Sequence, residues 1–211
     1  MGFARSTTRW YPNSVVVIDN ILKDPMSARK WVLDQTFGEQ EDATGWCTKG
    51  SRTFAGMLSS LRKHFGAAAR FLDSEKYYPS GSAFISLSGG IRNEVPRVHW
   101  DEPENAYIAI VYLSPNLPVH FGTSLWEHRR TGLRRAPVRS DEANLGMSCE
   151  EIAEILERDS YFPSRWIEVD RIGYRFNRAV VYPAYALHSA TNHRGTTMDN
   201  GRKYQFYAFR R

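Results

Sequence analysis

Cysteine is scarce: Cys47 and Cys149 are the only two in 211 residues, far apart and outside any CxxC spacing. A disulfide framework or a thiolate zinc site needs several closely spaced thiols, so both are excluded. Long apolar runs are lacking too. No stretch reaches the ~18 apolar residues of a membrane-crossing helix, and the opening MGFARSTTRWYP has no apolar core of secretory-signal length. A membrane protein is not expected, and a cytoplasmic location is. Internal repeats, low-complexity tracts and Gly/Ser linkers are also missing, so residues 1–211 read as one domain around one core.

What is present is material for a packed interior. Hydrophobic residues make up 42% of the chain and aromatics 13%, which excludes a disordered chain. The net charge of +5 raises the question of nucleic acid, but no nucleic-acid motif accompanies it, and charge alone speaks to solubility and steering. No nucleic-acid partner is expected.

The chain opens with a β-branched run, Ser14–Asp19, followed by Asp24-Pro25, a capping residue before a proline suited to the first helical position. Ala28, Trp31 and Val32 lie on one face of that helix. A second stripe joins Phe54, Met57, Leu58, Leu61, Phe65, Ala68 and Leu72, so residues 1–80 are expected to form a helical support.

From Ser82 the texture changes to short apolar or alternating runs: Ser82–Ser88, Pro96–Asp101, Ala106–Ser114, Phe121–Glu127, Trp166–Ile172, Ala179–Tyr182, Leu187–Asn192 and Arg202–Arg210. The fold class this implies is mostly β with flanking helices: a double-stranded β-helix, the cupin-like jelly roll, with N-terminal buttressing helices. Ala106–Leu113 is apolar on both alternating faces, which suits a central strand between the barrel interior and covering helices. An insertion spans 129–165. Within it Ser148 and Glu151 form a capping box and Met147 and Ile152 a staple, so 149–158 is expected to be helical.

The chemistry starts at RVHWDEPEN. In an extended segment residues i and i+2 share a face, so His99 and Asp101 project together while Trp100 points away. An imidazole and a carboxylate held so can bind one metal. A histidine from a distant strand, His188 in YPAYALHSATNH, would complete the two-histidine, one-carboxylate face that leaves positions open on non-haem Fe(II). By itself HxD is also a common structural hydrogen-bonding pair. Further along, Arg202 opens the apolar last strand, and an inward arginine needs an anion, for which its fork suits a carboxylate.

These residues in this order resemble the Fe(II)/2-oxoglutarate-dependent oxygenase superfamily: His99-Trp-Asp101, Tyr112-Leu113-Ser114, Phe121-Gly122-Thr123-Ser124, His188 and Arg202. The stretches VVVIDNILKDP, GTSLWEHRRTG, FNRAVVYPAYALHSA and GRKYQFYAF look like its prolyl-hydroxylase-like branch, close to a bacterial group of similar length. The resemblance implies Fe(II) on His99, Asp101 and His188, with 2-oxoglutarate and O2 as cosubstrates. It implies Arg202 as the anchor of the distal carboxylate, with Tyr112, Thr123 and Tyr204 beside it. One departure stands out: many relatives have two glycines before the threonine, where this chain has His120-Phe121-Gly122-Thr123.

Trp100, Glu102, Asn105 and His128 are the residues that this reading places toward a substrate. That substrate is expected to be a small molecule, an amino acid or natural-product intermediate, with hydroxylation of an unactivated C–H as the commonest outcome in the family. Halogenases of the superfamily lack the carboxylate, so Asp101 disfavours halogenation. A peptide side chain is the alternative substrate, for which Arg129, Arg130, Arg134, Arg135 and Arg139 offer a basic docking surface, although such runs are usually just solvated. A cupin-like Zn2+ hydrolase or isomerase using the same ligands is the reading from another class, and it leaves Arg202 without a task.

Overall fold

The computed structural model describes residues 15–39, 46–72, 78–89, 92–93, 96–101 and 106–211. Thirteen strands lie among them: β1 Val16–Asp19, β2 Phe37–Glu39, β3 Trp46–Ser51, β4 Arg70–Phe71, β5 Ser82–Ser86, β6 Ser88–Gly89, β7 Arg92–Asn93, β8 Tyr107–Tyr112, β9 Thr123–His128, β10 Trp166–Ile172, β11 Arg178–Pro183, β12 His188–Ala190 and β13 Arg202–Arg210. The helices are α1 Pro25–Leu33, α2 Met57–Phe65, α3 Arg139–Leu145 and α4 Cys149–Asp159.

Two antiparallel sheets carry the fold. The larger has the order β1-β11-β8-β13-β5-β3-β2, and the smaller is β10-β9-β12. Strand β8 is internal, as its two apolar faces predict. Ile108, Ile110 and Tyr112 join Val180, Tyr182, Phe206, Leu125 and Ile172 between the sheets. The alternate residues Ala109, Val111 and Leu113 pack outward, with Ala28 and Val32 of α1 and Met57 and Leu61 of α2. Period-two alternation thus feeds two cores from one strand.

Helix α1 begins as its sequence predicts, with Asp24 Oδ1 accepting the Ser27 N–H at 3.0 Å and Pro25 in the first turn. The stripe expected to run helically to Leu72 is shorter. Gly66, at φ +96°, ends α2, and the chain then pairs β4 with the end of β13 while Leu72 N–H bonds the Ala208 carbonyl. Sheet pairing wins because the tail of the stripe reaches a strand with open hydrogen-bonding groups. The N-terminal support is accordingly mixed, since β1, β2 and β3 extend the large sheet beside the two helices.

The insertion contains α4 with its capping box intact: Ser148 Oγ accepts the Glu151 N–H at 3.2 Å, and Glu151 accepts the Ser148 N–H at 2.7 Å. Ile152 and Leu156 of α4 pack with Val98, Trp166 and Leu187 on the small-sheet side. Two arginines of the run are paired within the fold. Arg135 is buried in a two-pronged pair with Asp141, at 2.6 and 2.9 Å, and Arg134 pairs with Glu127 at 2.7 Å.

Candidate metal centre

The segment expected as strand Pro96–Asp101 forms a single bridge. His99 and His188 exchange both backbone hydrogen bonds, at 3.0 and 2.9 Å, and Asp101 N–H reaches the Ala184 carbonyl at 2.8 Å. These bonds tie the three side-chain-bearing positions together before any side chain takes part. His99 and Asp101 lie on one face, as i and i+2, and β12 brings His188 to them.

One ligand-type atom from each of His99, Asp101 and His188 falls within 4.8 Å of the others. His99 Nε2 is 3.7 Å from Asp101 Oδ1, and His188 Nε2 is 3.4 Å from Oδ2. Both separations exceed an ordinary hydrogen bond, so the donors ring a common point instead of bonding one another. Each Nδ1 is taken by a backbone carbonyl two residues earlier: Arg97 for His99 and Ala186 for His188, both at 2.9 Å. A neutral ring that donates from Nδ1 presents an unprotonated Nε2, the tautomer a metal requires. Burial, reinforced by the neighbouring His99, lowers the pKa of His188 to about 4 and keeps it neutral.

The three residues line a cavity of about 170 Å³ together with Arg202, Tyr204, Thr123 and Ser86. Arg202 is 2% exposed. Its Nε donates to the Phe121 carbonyl at 2.8 Å and Nη2 to that of Gly122 at 3.2 Å, while the guanidinium lies over the rings of Tyr204 and Tyr112 at 4.8 and 5.3 Å. No carboxylate among the described residues pairs with it. Tyr112 hydroxyl and Thr123 Oγ1 are 2.7 Å apart, and burial raises the Tyr112 pKa, so the phenol stays neutral.

The single glycine before Thr123 is explained by its surroundings. A Cβ at Gly122 would lie 1.8 Å from the Ile172 carbonyl oxygen, so the close approach of β9 to β10 admits no side chain there.

Among the residues expected to face a substrate, Trp100 packs instead with the α4 cluster, and His128 is fully buried elsewhere. His128 lies 3.1 Å from Asp159 Oδ2 and 3.0 Å from Thr131 Oγ1, and its ring packs on Trp166. It is a core histidine and does not line the cavity. Glu102 and Asn105 lie outside the described residues. Sequence reasoning missed Ser86, Arg97, Tyr182 and His193, all of which line the cavity. Ser86 is 3% exposed, its Oγ has no partner among the described residues, and it sits directly across from Arg202 in the β5–β13 register. No local signal marks such a residue, because its neighbour is set by strand pairing.

A family model for a family of unknown function, DUF6445, matches residues 9–202. No curated protein sequence matches the chain. Among solved structures, the non-heme alpha ketoglutarate dependent epimerase SnoN from nogalamycin biosynthesis is similar over 96% of this chain and 80% of its own, at 12% identity and a TM-score of 0.54. HygX from Streptomyces hygroscopicus, with nickel and 2-oxoglutarate bound, is similar over 93% of this chain and 82% of its own, at 11% identity and a TM-score of 0.53. At such identities the likeness is one of fold: the chain adopts the jelly roll of these enzymes.

Proposed function

The chain belongs to the DUF6445 family, and from that premise we propose that it is an Fe(II)- and 2-oxoglutarate-dependent oxygenase that oxidises a C–H bond of a small molecule. One observation carries the reading: a two-histidine, one-carboxylate set and a buried arginine with no carboxylate partner among the described residues open onto the same small cavity. A zinc hydrolase would use the three ligands and leave Arg202 idle.

The donor set fits Fe(II), since two imidazoles and one carboxylate form a facial set that leaves positions for a chelating cosubstrate and O2. His99, Asp101 and His188 would hold the metal, and Arg202 the distal carboxylate of 2-oxoglutarate. When bound, the iron and 2-oxoglutarate supply O2 activation coupled to decarboxylation, yielding succinate and CO2. The chain's own part is positioning. The Arg97 and Ala186 carbonyls fix both imidazole rings, and the carbonyls of Phe121 and Gly122 aim the Arg202 guanidinium. Ser86 Oγ and Tyr204 line the carboxylate end beside it, where an unsatisfied buried hydroxyl gains most from an acceptor. Tyr112 and Thr123, bonded to one another, stand under the guanidinium.

A small-molecule substrate suits the narrow cavity and the arginine run. Two of the five arginines that would dock an acidic peptide are already paired within the fold, Arg135 with Asp141 and Arg134 with Glu127.

The test is anaerobic reconstitution with Fe(II) and 2-oxoglutarate. The proposal expects the weak visible charge-transfer band of a keto-acid chelate, then succinate when O2 is admitted. A metal-loaded protein that shows neither the band nor succinate refutes it.

A further inference from the structure

A second cavity, of about 440 Å³, lies beside the loop that joins β12 to β13. Its lining includes Arg29 of α1, Ser114, Asn116, Arg194, Asn200 and Gly201. The charges here are unbalanced. Arg29 Nη1 is tethered to the Leu113 carbonyl at 2.9 Å, and Arg194 stands over the Phe121 ring at 5.6 Å. Neither meets a carboxylate among the described residues. Close by is Lys203, 1% exposed, whose ammonium donates to the backbone carbonyls of Asp199, at 2.6 Å, and Gly201, at 3.4 Å. The one carboxylate on the cavity wall is that of Asp199. Burial, and then the charge of Arg29, press the Lys203 pKa down to about 8, against the opposing pull of Asp199.

The loop is built. Asn200 Oδ1 accepts the N–H groups of Thr196 and Thr197 at 2.8 and 2.9 Å, and Gly195 turns at φ +90°, where a Cβ would strike Asn200 at 2.5 Å. Arg194 is thereby carried on a braced turn. From these features we infer that the cavity between Arg29 and Arg194 binds a small multivalent oxyanion, a phosphate or a polycarboxylate. Guanidinium forks pair with the oxygens of either group, and a bound anion offsets the excess positive charge that Arg29 and Arg194 bring to this cavity.

Its position gives such a ligand a lever. Ser114 Oγ links both sides, accepting the Lys203 N–H at 2.9 Å and donating to the Gly201 carbonyl at 3.2 Å. Gly201 immediately precedes Arg202, and the same loop begins just beyond β12, which carries His188. An anion seated here stiffens the connection between the two residues that face the first cavity.

Thermal shift of the purified chain with inorganic phosphate or malonate, against chloride at equal ionic strength, is the test. Saturable stabilisation by either oxyanion and none by chloride is expected, with the apparent affinity weakened on the order of tenfold in Arg194→Gln. Arg194 is exposed and makes no hydrogen bond or ion pair among the described residues, only the ring contact with Phe121, so that variant is expected to fold. Arg29→Gln should show the same loss, whereas Arg130→Gln on the insertion and Arg202→Met in the first cavity should keep the shift. Response to phosphate alone identifies a phosphoryl ligand, to malonate alone a carboxylate, and to both a general oxyanion site. No oxyanion-specific shift overturns the proposal. So does a shift that survives Arg194→Gln and Arg29→Gln, or one lost in Arg202→Met, which places the anion in the first cavity.

Discussion

Replacing Arg202 with methionine separates an anchoring role from a structural one. The unbranched side chain keeps apolar contact with the rings of Tyr204 and Tyr112, which the guanidinium covers at 4.8 and 5.3 Å. It loses the donors to the carbonyls of Phe121 and Gly122. Gly122 O also accepts the Thr191 N–H, so among the described residues Phe121 O is the group left without a partner. That orphan costs about 1–3 kcal/mol, and removal of a buried cation offsets part of it, so the variant is expected to fold. If Arg202 grips the distal carboxylate of 2-oxoglutarate, two charge-assisted bonds disappear. Discounted for non-additivity, they contribute about 3 kcal/mol, or roughly a hundredfold in Kd at about 1.4 kcal/mol per factor of ten. Titration calorimetry of 2-oxoglutarate into the nickel-substituted protein reads this directly. Arg202→Lys, which keeps the charge and loses the fork, should fall between the two. A folded Arg202→Met protein that binds 2-oxoglutarate within about threefold of the wild type refutes the anchor.

Other predictions concern the ligands and the scaffold. His99→Ala and Asp101→Ala should each weaken Ni(II) binding by more than about a hundredfold, since loss of a mere supporting partner already costs about 10–100-fold; calorimetry with the metal alone decides. Gly122→Ala, with its Cβ 1.8 Å from Ile172 O, should cost on the order of 3 kcal/mol or more in urea unfolding. His128 carries a pH dependence. Burial lowers its folded pKa below 6.5, so the unfolded chain takes up the proton first and stability falls as pH drops below about 6.5. In melting curves from pH 8 to 5, His128→Gln, which keeps a donor for Asp159, should lose less stability over this range than the wild type.

Local chemistry determined much of this protein. Period-two spacing set His99 beside Asp101, alternation on β8 foretold a strand with two cores, and the Ser148/Glu151 box started α4. These signals act within a few residues, where backbone geometry alone decides which side chains share a face. The rest depended on closure across the chain. His188 meets Asp101 because its backbone bridges His99, and Ser86 faces the cavity beside Arg202 only through the β5–β13 register. The end of α2 yielded to sheet pairing at β4, and His128 went inward because Asp159 and Trp166 awaited it there. The arginine run was divided by partners: Asp141 drew Arg135 into the interior, and Glu127 took Arg134 at the surface. In each case the energy lies in a contact between residues remote in sequence, and spacing along the chain carries no record of it.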